Sequence, residues 1–194
     1  MAKKRKAIAY RSIERPYTRH SKYREKNFVR GKPQVKIVHF NQGNKVRTDF
    51  PVRLSIISEQ ALQIRDIALE SARQACNRSL EANIEKGKYV LHIKVYPHHI
   101  LRERSMAAQA GADRMSKGMS KSYGKTTGRA AQIKVGQVLI TVETEEKFTA
   151  AAKRGLKLAC HKFPKNYHIT TEKVAAVAVK VPKAAVKAPE VKAQ

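Results

Sequence analysis

Acidic side chains are scarce in this sequence. Fifteen Asp and Glu stand against 41 Lys and Arg in 194 residues, a formal net charge of +26. That imbalance excludes a self-neutralised surface, because so much like charge repels itself in a compact state. It points to a polyanionic partner, with nucleic acid the first candidate. Tryptophan is absent and there are two cysteines. Cys76 and Cys160 imply no disulfide framework and have no metal-ligand spacing around them. Both fall in apolar helical patterns, as small buried side chains do. No run of about 18 apolar residues occurs, so no membrane span is expected. The basic stretch 1–5 is not followed by an apolar h-region, so no secretory leader is expected and the chain reads as cytoplasmic.

The positive charge is unevenly placed. Residues 1–36 carry a net +11 and residues 100–130 a net +5, more than half of the total. Residues 1–34 lack periodicity and interleave cations with Tyr10, Tyr17, Tyr23 and Phe28, a composition that cannot bury a core alone. Cations contact phosphates, and aromatic rings stack on unpaired bases. The arm's expected RNA-binding residues are Lys3, Lys4, Arg5, Lys6, Tyr10, Arg11, Arg15, Tyr17, Arg19, Lys22, Tyr23, Arg24, Arg30 and Lys32. At the other end, residues 174–194 are mostly Ala, Val, Lys and Pro and read as a flexible basic tail. Residues 35–173 between them have the patterning of one folded domain.

Within that domain the alternation of apolar and polar residues predicts strands over 35–40, 52–57, 89–96 and 133–144, with Gly136 as a bulge in the last. Residues 41–44 carry a turn signal. Edge-strand character appears at 100–105 and a short final strand at 167–170. Ser58 is placed to cap a helix reaching residue 84, with Ala61, Ile64, Ala68, Ala72, Ala75, Cys76 and Leu80 on its buried stripe and Gly87 as its stop. Thr144 is placed to cap a second helix over 145–162, with Phe148, Ala152, Leu156 and Ala159 inward. Strands and helices do not alternate strictly. The expected fold is therefore α+β: a single compact domain, with a mixed or antiparallel sheet carrying two helices on one face. Residues 106–130, rich in Gly, Ser, Lys and Met, form a long irregular loop of a kind that compact domains retain for function. Met106, Met115 and Met119 all lie there, which suggests that the loop folds against something large.

Motifs for chemistry are weak. Gly118 and Gly124 are separated by five residues, where a phosphate-binding loop needs four followed by a helix. His92, His98 and His99 have no Cys, Asp or Glu nearby at metal-ligand spacing. Glu103 and Asp113 are the only carboxylates between residues 100 and 130. No nucleophile–base pair is recognisable, so neither an enzyme nor a cofactor is expected. Charge alone also fits a general nucleic-acid-compacting protein, although such a protein has no need of the glycine- and methionine-rich loop.

The loop residues Ala110-Gly111-Ala112-Asp113-Arg114-Met115, Gly118-Met119, Tyr123-Gly124-Lys125, Gly128 and Gly136-Gln137-Val138 resemble the signature of the ribosomal protein L-sixteen family, in its archaeal and eukaryotic L-ten-e form. Ala9-Tyr10-Arg11, Pro16-Tyr17-Thr18-Arg19, Arg30-Gly31-Lys32-Pro33, Leu69-Glu70-Ser71-Ala72-Arg73, Pro97-His98-His99-Ile100-Leu101-Arg102 and Lys162-Phe163-Pro164 agree in order. The resemblance spans about residues 6–173, and the Ala/Lys/Pro tail leans towards the archaeal form. It implies a structural constituent of the large ribosomal subunit that binds its ribosomal RNA beside neighbouring ribosomal proteins, without homo-oligomerisation. It further implies that loop 102–129 reaches towards the peptidyl-transferase centre and the transfer RNA acceptor ends. The loop residues it marks are Arg102, Arg104, Gly111, Arg114, Lys117, Lys121, Tyr123, Lys125 and Arg129.

Overall fold

The computed structural model describes residues 6–13, 23–26, 29, 31–44, 46–47, 49–103 and 124–173. Its strands are β1 (Asn41–Gly43), β2 (Val52–Ser58), β3 (Leu62–Arg65), β4 (Tyr89–Ile93), β5 (His99–Glu103), β6 (Lys125–Ile133), β7 (Val138–Thr144) and β8 (Tyr167–Lys173). Among the described residues the α-helices are α1 (Asp66–Asn83) and α2 (Thr149–Cys160). Every strand pairing is antiparallel. A five-stranded sheet runs β1-β4-β7-β2-β8, and a separate three-stranded sheet runs β3-β6-β5.

The large sheet is built from two apolar rungs. Leu91, Val142 and Leu54 lie side by side in register, and Ile93, Ile140, Ile56 and Ile169 form the next same-face rung. The first rung's residues, Ile140 and Ile56 are essentially inaccessible, as are Leu69, Leu80 and Leu156 from the helices. Each such side chain stabilises the fold by about 1.5–3 kcal/mol relative to exposure. The other face is more polar, with Arg53, Ser55, His92, Thr141 and Glu143 beside the apolar Val90, and Arg53 Nε meets Glu143 Oε1 at 2.8 Å there. One apolar and one polar face is the usual economy of an antiparallel sheet.

The α+β expectation with two helices holds, but the single sheet becomes two. The first helix begins at Asp66 rather than at Ser58. Ser58 ends β2, and its hydroxyl donates to the Gln60 carbonyl. Ile64 lies four residues before Ala68, so helical spacing and strand alternation both accommodate it. The structure places Leu62 and Ile64 in the core from β3, leaving Ala61 exposed. Residues 35–40 are extended yet form no strand. Lys36 N–H donates to Asp66 Oδ2 (3.2 Å) and Val38 N–H to Glu70 Oε2 (3.3 Å), so side chains of α1 take the place of a neighbouring strand. The turn signal at 41–44 falls instead on β1, which pairs with β4.

Residues 125–130 are not loop but the first part of β6. Gly136, at φ +75°, sits in the tight connection between β6 and β7, not in a bulge within one strand. Alternation runs nearly unbroken through both strands, which is why the sequence reads them as one. Thr144 closes β7, and its hydroxyl donates to the Lys88 carbonyl. A 3-10 turn at Glu146–Phe148 precedes α2, so Thr144 does not cap it. The first helix stops at Asn83, and Gly87 (φ +97°) turns the chain into β4. That strand ends at Ile93, short of residue 96, whereas the last strand extends to Lys173.

Candidate nucleic-acid interface

The three-stranded sheet is the point at which the basic arm and the internal loop converge. β5 ends at Glu103 and β6 starts at Lys125, so adjacent strands form the stem of the loop. Arg102 pairs across the stem with Thr126, and Glu103 with Lys125. A register shift between Leu101 and Arg102 marks a bulge at the base of the stem. Such bulges increase local twist and re-aim the residues that follow.

The arm is tied to the same sheet at two places. On the β3 edge, Gln63 N–H donates to the Arg11 carbonyl at 2.9 Å, and Gln63 Nε2 donates to the Tyr10 carbonyl at 3.0 Å. The Arg65 guanidinium lies 5.7 Å from the centre of the Tyr10 ring, close enough for a cation–π attraction. On β6, Arg129 Nε donates to the Pro33 carbonyl at 2.7 Å, and Gly31 lies against Thr126. The chain then runs along α1 through the amides of Lys36 and Val38.

This placement sorts the expected RNA-facing residues. Lys6, Lys32 and Lys125 are exposed. Tyr23 is 62% exposed, with the Lys26 ammonium 5.0 Å from its ring centre. Tyr10, Arg11 and Arg102 are half-buried. Arg129 lies in β6 rather than in a loop and is only 6% exposed; its guanidinium holds Pro33 and reaches the Tyr96 hydroxyl. In this structure it anchors the arm. Arg24 belongs to a short 3-10 turn with Glu25 and Lys26. Lys3, Lys4, Arg5, Arg15, Tyr17, Arg19, Lys22, Arg30, Arg104, Gly111, Arg114, Lys117, Lys121 and Tyr123 lie outside the described residues.

Electrostatics separate the two sheets. In β3, β5 and β6 the charged residues are Arg65, Arg102, Glu103, Lys125 and Arg129, four cations to one carboxylate. Carboxylates of the larger body are engaged locally. Arg47 bridges Asp49 (3.0 Å) and Glu145 (2.7 Å), Arg53 meets Glu143, and Lys173 meets Glu146 at 3.2 Å. The hydrogen bond from Arg47, then a backbone hydrogen bond and lastly the guanidinium's charge, hold the Asp49 carboxyl below its ordinary value. Sequence reasoning missed two cationic features. One is Arg65, hidden inside an expected helix. The other is the exposed group Lys153, Arg154 and Lys157 on α2, whose i, i+1, i+4 spacing was readable as one helical face.

Among the described residues no cluster of His, Cys, Asp or Glu is arranged to hold a metal ion. Cys76 is buried against α2, and burial followed by the influence of Cys160 pushes its thiol up to about 12. No helix among the described residues is long and apolar enough to cross a membrane.

Comparison with known proteins agrees with this arrangement. The sequence model of the family described as Ribosomal protein L16p/L10e matches residues 14–170. A protein of Archaeoglobus fulgidus named "Large ribosomal subunit protein uL16" is 40% identical over 167 residues, covering 86% of this chain and 92% of the relative. A Methanococcus maripaludis protein of the same name is 43% identical over 160 residues, covering 82% of this chain and 89% of its own length. A third, from Methanoculleus marisnigri, is 40% identical over 154 residues.

Proposed function

The chain belongs to the L16p/L10e family of ribosomal proteins, and from that premise we propose that its basic arm and its internal loop act as one RNA-binding device mounted on the small sheet. At the coarser level, the chain is a structural constituent of the large ribosomal subunit in the cytoplasm and not an enzyme, and its partners are ribosomal RNA and other ribosomal proteins. The finer reading has three parts. Residues 1–34 neutralise phosphates and stack on unpaired bases of large-subunit RNA. Loop 102–129 extends from the β5–β6 stem towards the peptidyl-transferase centre and the acceptor ends of transfer RNA. The domain spans 35–173, the tail 174–194, and one copy sits in each subunit.

One observation carries this reading: the anchored parts of the arm are hydrogen-bonded to the same three-stranded sheet that contains both strands of the loop stem. A rigid base of this kind turns two cationic segments into neighbours with a fixed spacing. The second then binds at high effective concentration once the first is engaged. Phosphate contacts supply most of the affinity, and shape and stacking select the site.

The test is sedimentation of native lysate on a sucrose gradient, probing each fraction for this chain. Stoichiometric presence in large subunits after a moderate salt wash is expected. Confinement to light fractions, or to chromatin, would return the chain to a general nucleic-acid-compacting role. For the loop, Arg114→Ala and Lys121→Ala are expected to leave the thermal melt unchanged and to weaken aminoacyl-site transfer RNA binding by reconstituted subunits. Normal transfer RNA binding in both would sink that part.

A further inference from the structure

We propose that the cleft between the arm, β3, the start of α1 and the turn after α2 receives a single unpaired nucleotide of the ribosomal RNA, its base against the apolar floor and its phosphate against Arg11 and Lys162. This deepens the RNA-binding reading above and rests on it.

The cleft has a volume of about 400 Å³, in the size range of small-ligand sites. Its floor is apolar, from Ile64, Ala68, Phe163 and Pro164, and its cations are Arg11, Arg65 and Lys162. That division suits a group with a flat, weakly polar end and an anionic end. A base-paired duplex is too wide to enter, whereas one nucleotide turned out of a loop or bulge fits the way single-stranded RNA is ordinarily recognised.

Unsatisfied donors point the same way. Arg11 Nε is buried and has no hydrogen-bond partner among the described residues. The Tyr167 hydroxyl, close enough to Arg11 to feel its charge, is likewise buried and without one. Burying such groups unpaired is costly, most of all for a charged one. A buried donor on a residue that lines an open cleft, as Arg11 does, is explained by an acceptor that arrives with the partner, and a phosphate oxygen serves an arginine well. Arg11 is held in place from its backbone, since its carbonyl accepts from Gln63 N–H. Its side chain is therefore pre-positioned instead of being recruited from a free tail. An apolar peptide would leave the Arg11 donor unpaired, and a free phosphate would leave the floor uncovered.

The experiment places the photo-reactive side chain p-benzoylphenylalanine at Ile67, which is 42% exposed and lines the cleft. Large subunits containing the chain are isolated and irradiated, and the crosslink is mapped by reverse transcription and by peptide mass. The expected result is one crosslink to a single unpaired nucleotide. Its yield should fall at least about tenfold in Arg11→Gln, the loss of one charge-assisted hydrogen bond. Ala68→Trp, which fills the floor, should reduce it equally; if that variant does not fold, Arg11→Gln carries the test alone. A crosslink to a neighbouring protein or to residues 14–22 of this chain would overturn the proposal. Stops spread along a duplex, or an unchanged yield in Arg11→Gln, would also overturn it. Absence of the unsubstituted chain from large subunits is a separate outcome that sinks the ribosomal reading itself.

Discussion

Glu70 and Arg73 show how individual side chains hold the segment that follows the arm. Arg73 makes two hydrogen bonds to Glu70, at 2.6 and 2.9 Å, and both residues are under 10% exposed. Arg73 also donates to Gln42, and Glu70 accepts from the Val38 amide and from Gln74. Burial alone would push the Glu70 carboxyl up. The bonds from Arg73, Gln74 and Val38, with the guanidinium's charge, outweigh it and hold the carboxyl below its ordinary value. A depressed folded-state value stabilises the fold above the unfolded value near 4.5, and the benefit is lost as pH falls through the folded value. Thermal melts are therefore expected to drop more steeply below about pH 4.5 in the native chain than in Glu70→Gln. Glu70→Ala leaves the Arg73 charge buried and unpaired, so a loss of about 3–5 kcal/mol in denaturant unfolding is expected. Cys76 gives a second outcome at this scale. With its thiol pushed up to about 12 and no surface exposure, it should resist maleimide at pH 8 until the protein unfolds, while the half-buried Cys160 reacts first.

Between elements, two glycines set how closely the pieces approach. A Cβ on Gly155 of α2 would lie 3.5 Å from the Cys76 carbonyl oxygen, the Cys76 Sγ and Leu80 Cδ2 of α1, ordinary van der Waals contact. Gly155→Ala should accordingly be tolerated, and its better helix propensity should raise stability by about 1 kcal/mol. Gly155→Leu overfills the crossing and should cost about 1–3 kcal/mol by the same unfolding measurement. At Gly43 the sign reverses. Its φ is +94°, and a Cβ would meet the Tyr89 carbonyl oxygen at 2.3 Å. Gly43→Ala should lower the melting temperature and loosen the β1–β4 pairing, read as faster amide exchange at Leu91 and Ile93, whose N–H groups face β1. The inward faces of α1 from Ala68 onward and of α2 were legible because their apolar stripes are long. The starts of both helices were not: Ser58 and Thr144 carry capping side chains, yet the ends of strands β2 and β7 claim them. Capping preference is worth about 1 kcal/mol, less than a strand's ladder in a buried sheet.

Charge is distributed over the whole molecule in a way that a polyanionic partner makes economical. Carboxylates pair within the large-sheet body, while the small sheet, the arm and the loop keep an excess of cations. Binding to a large-subunit RNA fragment should therefore weaken steeply with salt. Replacing Lys3, Lys4, Arg5 and Lys6 by Ala should reduce the slope of log K against log salt by about 0.7–0.9 for each phosphate that is no longer neutralised. A slope unchanged by the quadruple substitution would remove the arm's tip from the interface. The sequence by itself determined the class of partner, the α+β character and the family resemblance. Each of these is written locally, in composition, periodicity and motif order. The tertiary structure decided the division into two sheets, the extension of the loop stem to Lys125 and the burial of Arg129. It also decided the capture of the arm by Gln63 and Arg129, and of residues 35–40 by Asp66 and Glu70. These depend on hydrogen bonds between residues thirty to a hundred positions apart, such as Lys36 to Asp66 and Arg129 to Pro33. No local pattern encodes such pairings, because the partner's distance along the chain leaves no periodic mark on either residue.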